Sequence, residues 1–320
     1  WCATAWTKEC SSPWQSVPSD SAADVLAEYD RLPNVLSFNA GDPTGAGGSA
    51  SDATVIASVG AHALPVVTGV YVRDTRDTIG HVAVDEAAIA EQAAAVAEDI
   101  PLHVIKVGFV GSAEAVSAIA AFASDYATVP VIAYMPDLSW WTEQEIDHYL
   151  DAFRELLLPQ TTVLVGNNAT LRHWLLPEST TDRRARATDL ARAAAEQGVS
   201  FVLVTGLPLV GDRLGNVLAS PQAELLSQDF ERIDAGFLGA GDILSAALAA
   251  LVATGSELTD ATAEALHYLD QALDHGFRPG MGRAVADRLF WAESDDDDGD
   301  APDDTPATLP FPDPFNETKH

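Results

Sequence analysis

Apolar positions fall into short unbroken runs that alternate with longer segments in which they recur every three or four residues. "NVLSFNA" at 34–40, "LPVVTGVYV" at 64–72, "LHVIKVGFV", "VPVIAYM", "TTVLVGN" and "SFVLVTG" read as buried strands. Between them, "SASDATVIASVGAHA", "DEAAIAEQAAAVAEDI", "SAEAVSAIAAFASDY", "TEQEIDHYLDAFRELLLP" and "ATDLARAAAEQGV" carry the helical period. Ser112 stands where a helix N-cap is expected, with Glu114 in the first turn, and Gly198 stands where a helix should end. From 207 to 237 the helical pattern weakens, and a short antiparallel pair is expected there. Two further helices are predicted at 241–254 and about 258–275. Strands alternating with helices predict an α/β fold with a largely parallel sheet covered on both faces.

The ends break this rhythm. Residues 1–33 read as an N-terminal extension: "SSPWQSVPSD" is turn-rich, and a short helix capped by Ser19 or Ser21 is expected after it. Residues 293–320 form an acidic, proline-rich tail in which eight of residues 293–304 are acidic. Such a composition cannot bury enough apolar surface to order itself, so disorder is expected. Residues 34–292 remain as one domain.

Charge narrows the partners. The chain carries 48 acidic against 17 basic residues, a formal net charge of −31. Nucleic acids and anionic membranes, both polyanions, are thereby disfavoured. No run of apolar residues is long enough to span a bilayer. Lysine occurs at Lys8, Lys106 and Lys319 only. An anionic ligand would therefore need local positive groups inside a negative field. Both cysteines, Cys2 and Cys10, lie in the extension, which fits a reducing cytoplasm and excludes a cysteine nucleophile in the core.

Two glycine-rich elements are the candidates for chemistry. "NAGDPTGAGGSASD" joins a strand to a helix and holds Asp42 and Asp52; no lysine follows in the phosphate-loop spacing. "GAGD", 239–242, opens the apolar run "ILSAALAALVA". A helix N-terminus offers unpaired N–H groups to an anion, and glycines allow close approach. Asp242 reads either as an ordinary helix cap or as a general base. Ligands of open α/β sheets collect at the carboxyl ends of the strands, so the two elements are expected to face one crevice. "VRDTRDT", with Arg73, Asp74 and Arg76, reads as a solvated turn by default or as a lid, and Trp140 and Trp141 read as core or interface anchors or as a stacking surface for an aromatic base.

Four stretches, "AGDPTGAGGSASDATVIASVGAHALPVVTGVYVRDT", "IKVGFVGSAEAVSAIAAFASDY", "GFLGAGDILSAALAALVATG" and "GFRPGMGRAVADRLFW", carry a family resemblance over about residues 34–291. The chain resembles the ribokinase-like superfamily and, more narrowly, hydroxymethylpyrimidine/phosphomethylpyrimidine kinases. The resemblance implies a three-layer α/β/α sandwich, a homodimer, ATP and Mg2+ as cofactors, and a pyrimidine alcohol or its monophosphate as acceptor. It implies that Gly239, Ala240, Gly241 and Asp242 hold the transferring group and take the proton. Asp42, Thr44, Gly45, Gly48, Ala50 and Asp52 would meet the acceptor. Asn167, Thr205 and Gly206 would meet the nucleotide, and Asp137 the metal.

The chain departs from the family pattern at several places. Asp242 stands where these kinases usually carry cysteine, as in ribokinases and pyridoxal kinases. Ala50 aligns with a glutamine that holds the pyrimidine. Thr170 replaces the glutamate of the N-x-x-E motif in "NNAT", Thr205 replaces a lysine, and Asp137 stands in for a shifted acidic D-P. Two alternatives follow: a pyridoxal-type kinase, and a catalytically weak pyrimidine-binding regulatory protein. Deleting 293–320 is expected to leave the melting temperature nearly unchanged in a thermal scan; a large drop would mean that the tail docks on the fold.

Overall fold

The computed structural model describes residues 32–176 and 186–292. The expectations for the N-terminal extension, its cysteines and the acidic tail lie outside these residues. Within them a nine-stranded sheet is built from β1 (Asn34–Gly41), β2 (His62–Arg73), β3 (Thr78–Ala83), β4 (Val104–Val107), β5 (Val131–Tyr134), β6 (Val163–Asn167), β7 (Phe201–Pro208), β8 (Arg213–Ala219) and β9 (Glu224–Glu231). The spatial order is β3-β2-β1-β4-β5-β6-β7-β8-β9. From β2 to β7 all neighbours are parallel, while β3 and the β8–β9 pair add antiparallel edges.

The helices are α1 (Gly48–Ser58), α2 (Glu86–Ala97), α3 (Ala113–Asp125), α4 (Glu143–Ala152), α5 (Asn168–Leu175), α6 (Ala187–Ala195), α7 (Ala240–Ala253) and α8 (Leu258–Asp274). Side chains alternate across a strand, so β1 feeds two cores. Leu36, Phe38 and Ala40 pack with α2 to α6, and Val35 packs with α1, α7 and α8 on the opposite face. This is the expected three-layer sandwich. Helix α7 is buried from Asp242 to Leu251. A helix apolar all round belongs inside a protein, and burying Ile243, Leu244 or Leu248 contributes about 1.5–3 kcal/mol each.

Most boundaries follow local chemistry. Ser112 caps α3 by accepting from Ala115 N, Thr142 and Glu145 form a capping box on α4, and Gly198 takes a φ of +97° just beyond α6. Other elements differ from the sequence expectation. The helix expected through Ala63 stops at Ser58, and Gly60 at φ +97° turns the chain into β2. The helix expected to run to Pro159 becomes a π turn at Phe153–Leu157 and a 3-10 turn at Leu158–Gln160, where proline removes a donor. Edge strand β3 and the short α5 were not expected. The antiparallel region is as anticipated, with β8 and β9 extending the sheet beyond β7.

The order of strands positions the crevice. From β1 the chain moves outward to β2 and β3, then crosses back to β4 on the other side of β1. Such a reversal leaves a cleft beyond the carboxyl ends of the two central strands. A small parallel pair, β10 (Phe237–Leu238) and β11 (Ala284–Val285), lies beside it and leads directly into α7.

Candidate active site

Three polar side chains on one face of the central strands point into the space between α1 and α7. Ser37 and Asn39 alternate along β1, and Lys106 is the register partner of Ser37 on β4. Lys106 is fully buried, and its Nζ donates to Asp52 Oδ2 at 2.7 Å, Asp52 Oδ1 at 2.9 Å and Asp242 Oδ1 at 3.2 Å. Asn39 Nδ2 donates to both carboxylates, at 2.9 Å to Asp52 Oδ2 and 2.8 Å to Asp242 Oδ1. Ser37 Oγ adds a 2.6 Å bond to Asp52. The Asn39 amide is oriented by its own oxygen, which accepts from Ala40 N and Phe109 N. Gly108 leaves the room for it, since a Cβ there would lie 2.5 Å from the Asn39 amide carbon.

Burial alone would push the Lys106 ammonium down, but the facing carboxylates Asp52 and Asp242 outweigh it and hold it up. Burial raises Asp52, and the Asp242 charge adds to the rise. Of these three groups Asp242 is the one that faces solvent. Its side chain is 12% exposed, against 0% for Asp52 and Lys106.

The two glycine-rich elements meet backbone to backbone. Gly239, at φ +77°, is the N-cap of α7, and a Cβ on it would lie 1.9 Å from the Ala46 carbonyl oxygen. A Cβ on Gly47 would lie 2.6 Å from Asp242 Oδ2, and one on Gly241 would lie 2.3 Å from the Tyr134 ring. Gly48 N donates to Asp242 Oδ2 at 3.1 Å. Asp242 therefore does not cap its own helix. Its carboxylate binds β1, β4 and the first glycine loop, while the first N–H groups of α7 have no partner within the helix.

A cavity of about 340 Å³ opens against this motif. Gly239, Ala240, Gly241, Asp242, Asn167, Thr205 and Asp137 all line it, as do Tyr71, Arg73, Tyr134, Trp140 and Arg283. Burial, and then the Asp242 charge, push the Tyr71 and Tyr134 hydroxyls up, so both are neutral phenols. Gly206 lies instead, with Thr205, in a neighbouring apolar cavity of about 220 Å³ between β8, β9 and α8. Asn167 Oδ1 caps α5 by accepting from Thr170 N at 2.9 Å.

The residues expected to meet an acceptor are placed differently. Asp42 locks its own loop: it accepts from Thr44 N, Thr44 Oγ1 and Gly47 N and forms a two-point ion pair with Arg73. Burial raises the Asp42 carboxyl, but the bonds and charge of Arg73 outweigh this and lower it overall. The pair is therefore fully formed above the ordinary Asp range and is lost as pH falls through the lowered value. Asp52 is sealed behind Asp242. Ala50 is exposed on α1, and Gly45 has open space at its α-carbon. Gly48 contributes its N–H to Asp242 rather than to the cavity.

Arg73 corrects the solvated-turn reading. Its side chain is 11% exposed, and its guanidinium lies 4.5 Å from the Tyr71 ring centroid. Behind it, Thr75 clasps the loop that follows α8: Gly282 N donates to Thr75 Oγ1 at 3.1 Å and Arg283 N to Thr75 O at 2.8 Å. Trp140 and Trp141 join Tyr71, Phe109 and His81 in one aromatic cluster, and Trp140 reaches the cavity wall. Sequence reasoning missed Ser37, Asn39 and Lys106, and it singled out Arg73 without its pairing to Asp42. The signal for Lys106 was present: a lone lysine inside the apolar run "VIKVGFV".

The phosphomethylpyrimidine kinase profile matches residues 42–287, a span that begins at the first glycine loop and ends beyond β11. The chain belongs to the phosphomethylpyrimidine kinase family. It is 27% identical over 264 residues to a hydroxymethylpyrimidine/phosphomethylpyrimidine kinase of Streptomyces coelicolor, covering 81% of this chain and 95% of that protein. It is 26% identical over 253 residues to a thiamine biosynthesis multifunctional protein of Corynebacterium glutamicum, covering 78% of this chain but only 33% of that protein. The chain thus spans about a third of that longer relative. A Bacillus subtilis pyridoxal kinase, solved as an ADP complex, superimposes with a TM-score of 0.71 at 19% identity, over 81% of this chain and 98% of that one. At that identity the likeness speaks for the fold, which this family shares with pyridoxal kinases.

Replacing Gly239 with alanine is expected to cost at least about 2 kcal/mol in chemical denaturation, from left-handed strain and the clash with Ala46. Gly60→Ala, equally left-handed but with nothing within 4 Å, should cost less; equal losses would show that the contact between the two loops contributes nothing.

Proposed function

We propose that this chain transfers the γ-phosphoryl group of ATP to the hydroxymethyl group of 4-amino-5-hydroxymethyl-2-methylpyrimidine, and a second one to the monophosphate formed, in thiamine biosynthesis. The observation that carries the reading is the Asp242 carboxylate on the cavity wall, in the first turn of a buried helix whose leading N–H groups have no partner within the helix. Family membership supports ATP as the donor. Phosphoryl transfer between oxygens needs positioning, charge stabilisation and removal of one proton. Asp242 Oδ2 takes the hydroxyl proton. The hydroxyl oxygen bonds to the γ-phosphorus as the bond to the β-γ bridging oxygen breaks, and ADP leaves with that electron pair. The N–H groups of Ala240, Gly241 and Asp242 donate to the oxygens of the transferring group and stabilise its charge.

The donor side fits Mg2+ carried in with ATP. Among the described residues no group of three His, Cys, Asp or Glu side chains could hold a metal by itself. Magnesium usually takes only one or two protein carboxylates and completes its shell with phosphates and water. Asp137 would hold it at the cavity rim, where its carboxylate accepts from Ser139 N and Oγ and keeps lone pairs free. When bound, the ion neutralises phosphate charge. The apolar cavity beside Thr205 and Gly206 suits the adenine.

A homodimer is supported by the outer face of the β2–β3 hairpin. Val70 and its register partner Val82 are 47% and 63% exposed, next to Val72 and Ile79. Sedimentation velocity should give a species of twice the chain mass; a monomer at micromolar concentration would refute this. No helix of the described residues is long and apolar enough to cross a membrane.

An ADP-release assay with ATP-Mg should show turnover with the pyrimidine alcohol and with its monophosphate. Turnover with pyridoxal alone would move the chain to the sister activity, and no turnover with thermal stabilisation by a pyrimidine would leave a binding protein. Asp242→Asn should lower turnover at least about 100-fold with little loss of stability; unchanged turnover would remove Asp242 from the mechanism.

A further inference from the structure

We infer that Lys106 is a positioning residue for the transfer: its ammonium separates Asp242 from Asp52 and keeps the Asp242 carboxylate free to act as the base. The inference rests on the kinase reading above. It starts from the proximity of the two carboxylates. One amide nitrogen, Asn39 Nδ2, donates to both, so Asp52 Oδ2 and Asp242 Oδ1 lie within two hydrogen-bond lengths of each other. Two buried carboxylates that close, with no cation between them, share a single proton. A shared proton would occupy the base that the reaction needs empty.

Lys106 removes that conflict by geometry. Its Nζ reaches both oxygens of Asp52 and the inner oxygen of Asp242. Asp242 Oδ1 is thereby held by two donors from the sheet, Lys106 and Asn39, while Oδ2 has, among the described residues, only the Gly48 N–H. The less occupied oxygen is left for the incoming proton. Neither Lys106 nor Asp52 lines the cavity, so both act through Asp242. The other titratable or charged groups that bear on Asp242 are Tyr71 and Arg73 from β2 and Tyr134 from β5. The tyrosines are neutral, and Arg73 is already paired with Asp42. Lys106 is the cation in direct contact with Asp242.

The test is the pH dependence of turnover in the native chain, in Lys106→Met, and in Lys106→Met/Asp52→Asn. The double variant leaves no unpaired buried charge from this pair and serves if the single one does not fold. The acid limb of the profile should move to higher pH by about 1–3 units in the single variant, because a carboxylate that loses a neighbouring cation takes up its proton more readily. In the double variant it should still move up, though less, since the lysine donates directly and Asp52 does not. A folded variant whose acid limb coincides with the native one, with turnover lowered evenly at every pH, would make Lys106 merely structural. No turnover by the native chain would overturn the kinase reading itself, an outcome separate from native turnover with an unmoved limb.

Discussion

The ammonium of Lys106 is fully buried and is surrounded by groups drawn from the sheet and from the helical layer that covers one of its faces. Ser37, Asn39 and Lys106 come from the central strands, Asp52 from one covering helix and Asp242 from another. Taking three charges out of water is costly, and their mutual attraction offsets the cost only if the geometry is good and the spare lone pairs are satisfied. Breaking one partner out of such a pair costs about 3–5 kcal/mol. The positions of α1 and α7 on the sheet are thus fixed at their business ends by charge, while the rest of each helix is fixed by apolar packing.

The glycines make that arrangement sterically feasible. At Gly47, Gly239 and Gly241 the missing Cβ is replaced by an aspartate oxygen, a backbone carbonyl and a tyrosine ring respectively. The motif is therefore a contact surface as much as a flexible loop. One helix end is pressed against the loop leading to another, and the Asp242 carboxylate fills the space that a side chain on Gly47 would need. The glycine-rich composition and the buried charge are two sides of one packing solution.

Much of the fold was legible because it depends on local patterns. Apolar runs placed six parallel strands, Ser112 and Gly198 marked helix ends, and the alternation of elements implied the sandwich. What stayed hidden depends on long-range pairing. Strand β3, with its exposed Ile79 and Val82, has no buried run to announce it. Helix α5 is a short helix of about two turns whose cap, Asn167, reads as part of a motif. In the site, Asp242 was legible from its place at a helix mouth, but its partners were not. Asp52 lies far from it in sequence, and its orientation away from the cavity follows from Lys106 on another strand. The resemblance implies Asp42 as a ligand group; its bonds go to Arg73 and to its own loop.

The bonds between Thr75 and Gly282–Arg283 have a mechanical consequence. The tip of the β2–β3 hairpin and the segment after the last helix are joined by two hydrogen bonds, and each bears a cavity-lining arginine or its neighbour. The α7 side of the cavity is built on a helix buried along most of its length. Any breathing of the entrance falls to the opposite rim. That rim moves as one piece or else breaks these bonds, so the edge of the sheet and the loop after α8 are tied to a common displacement.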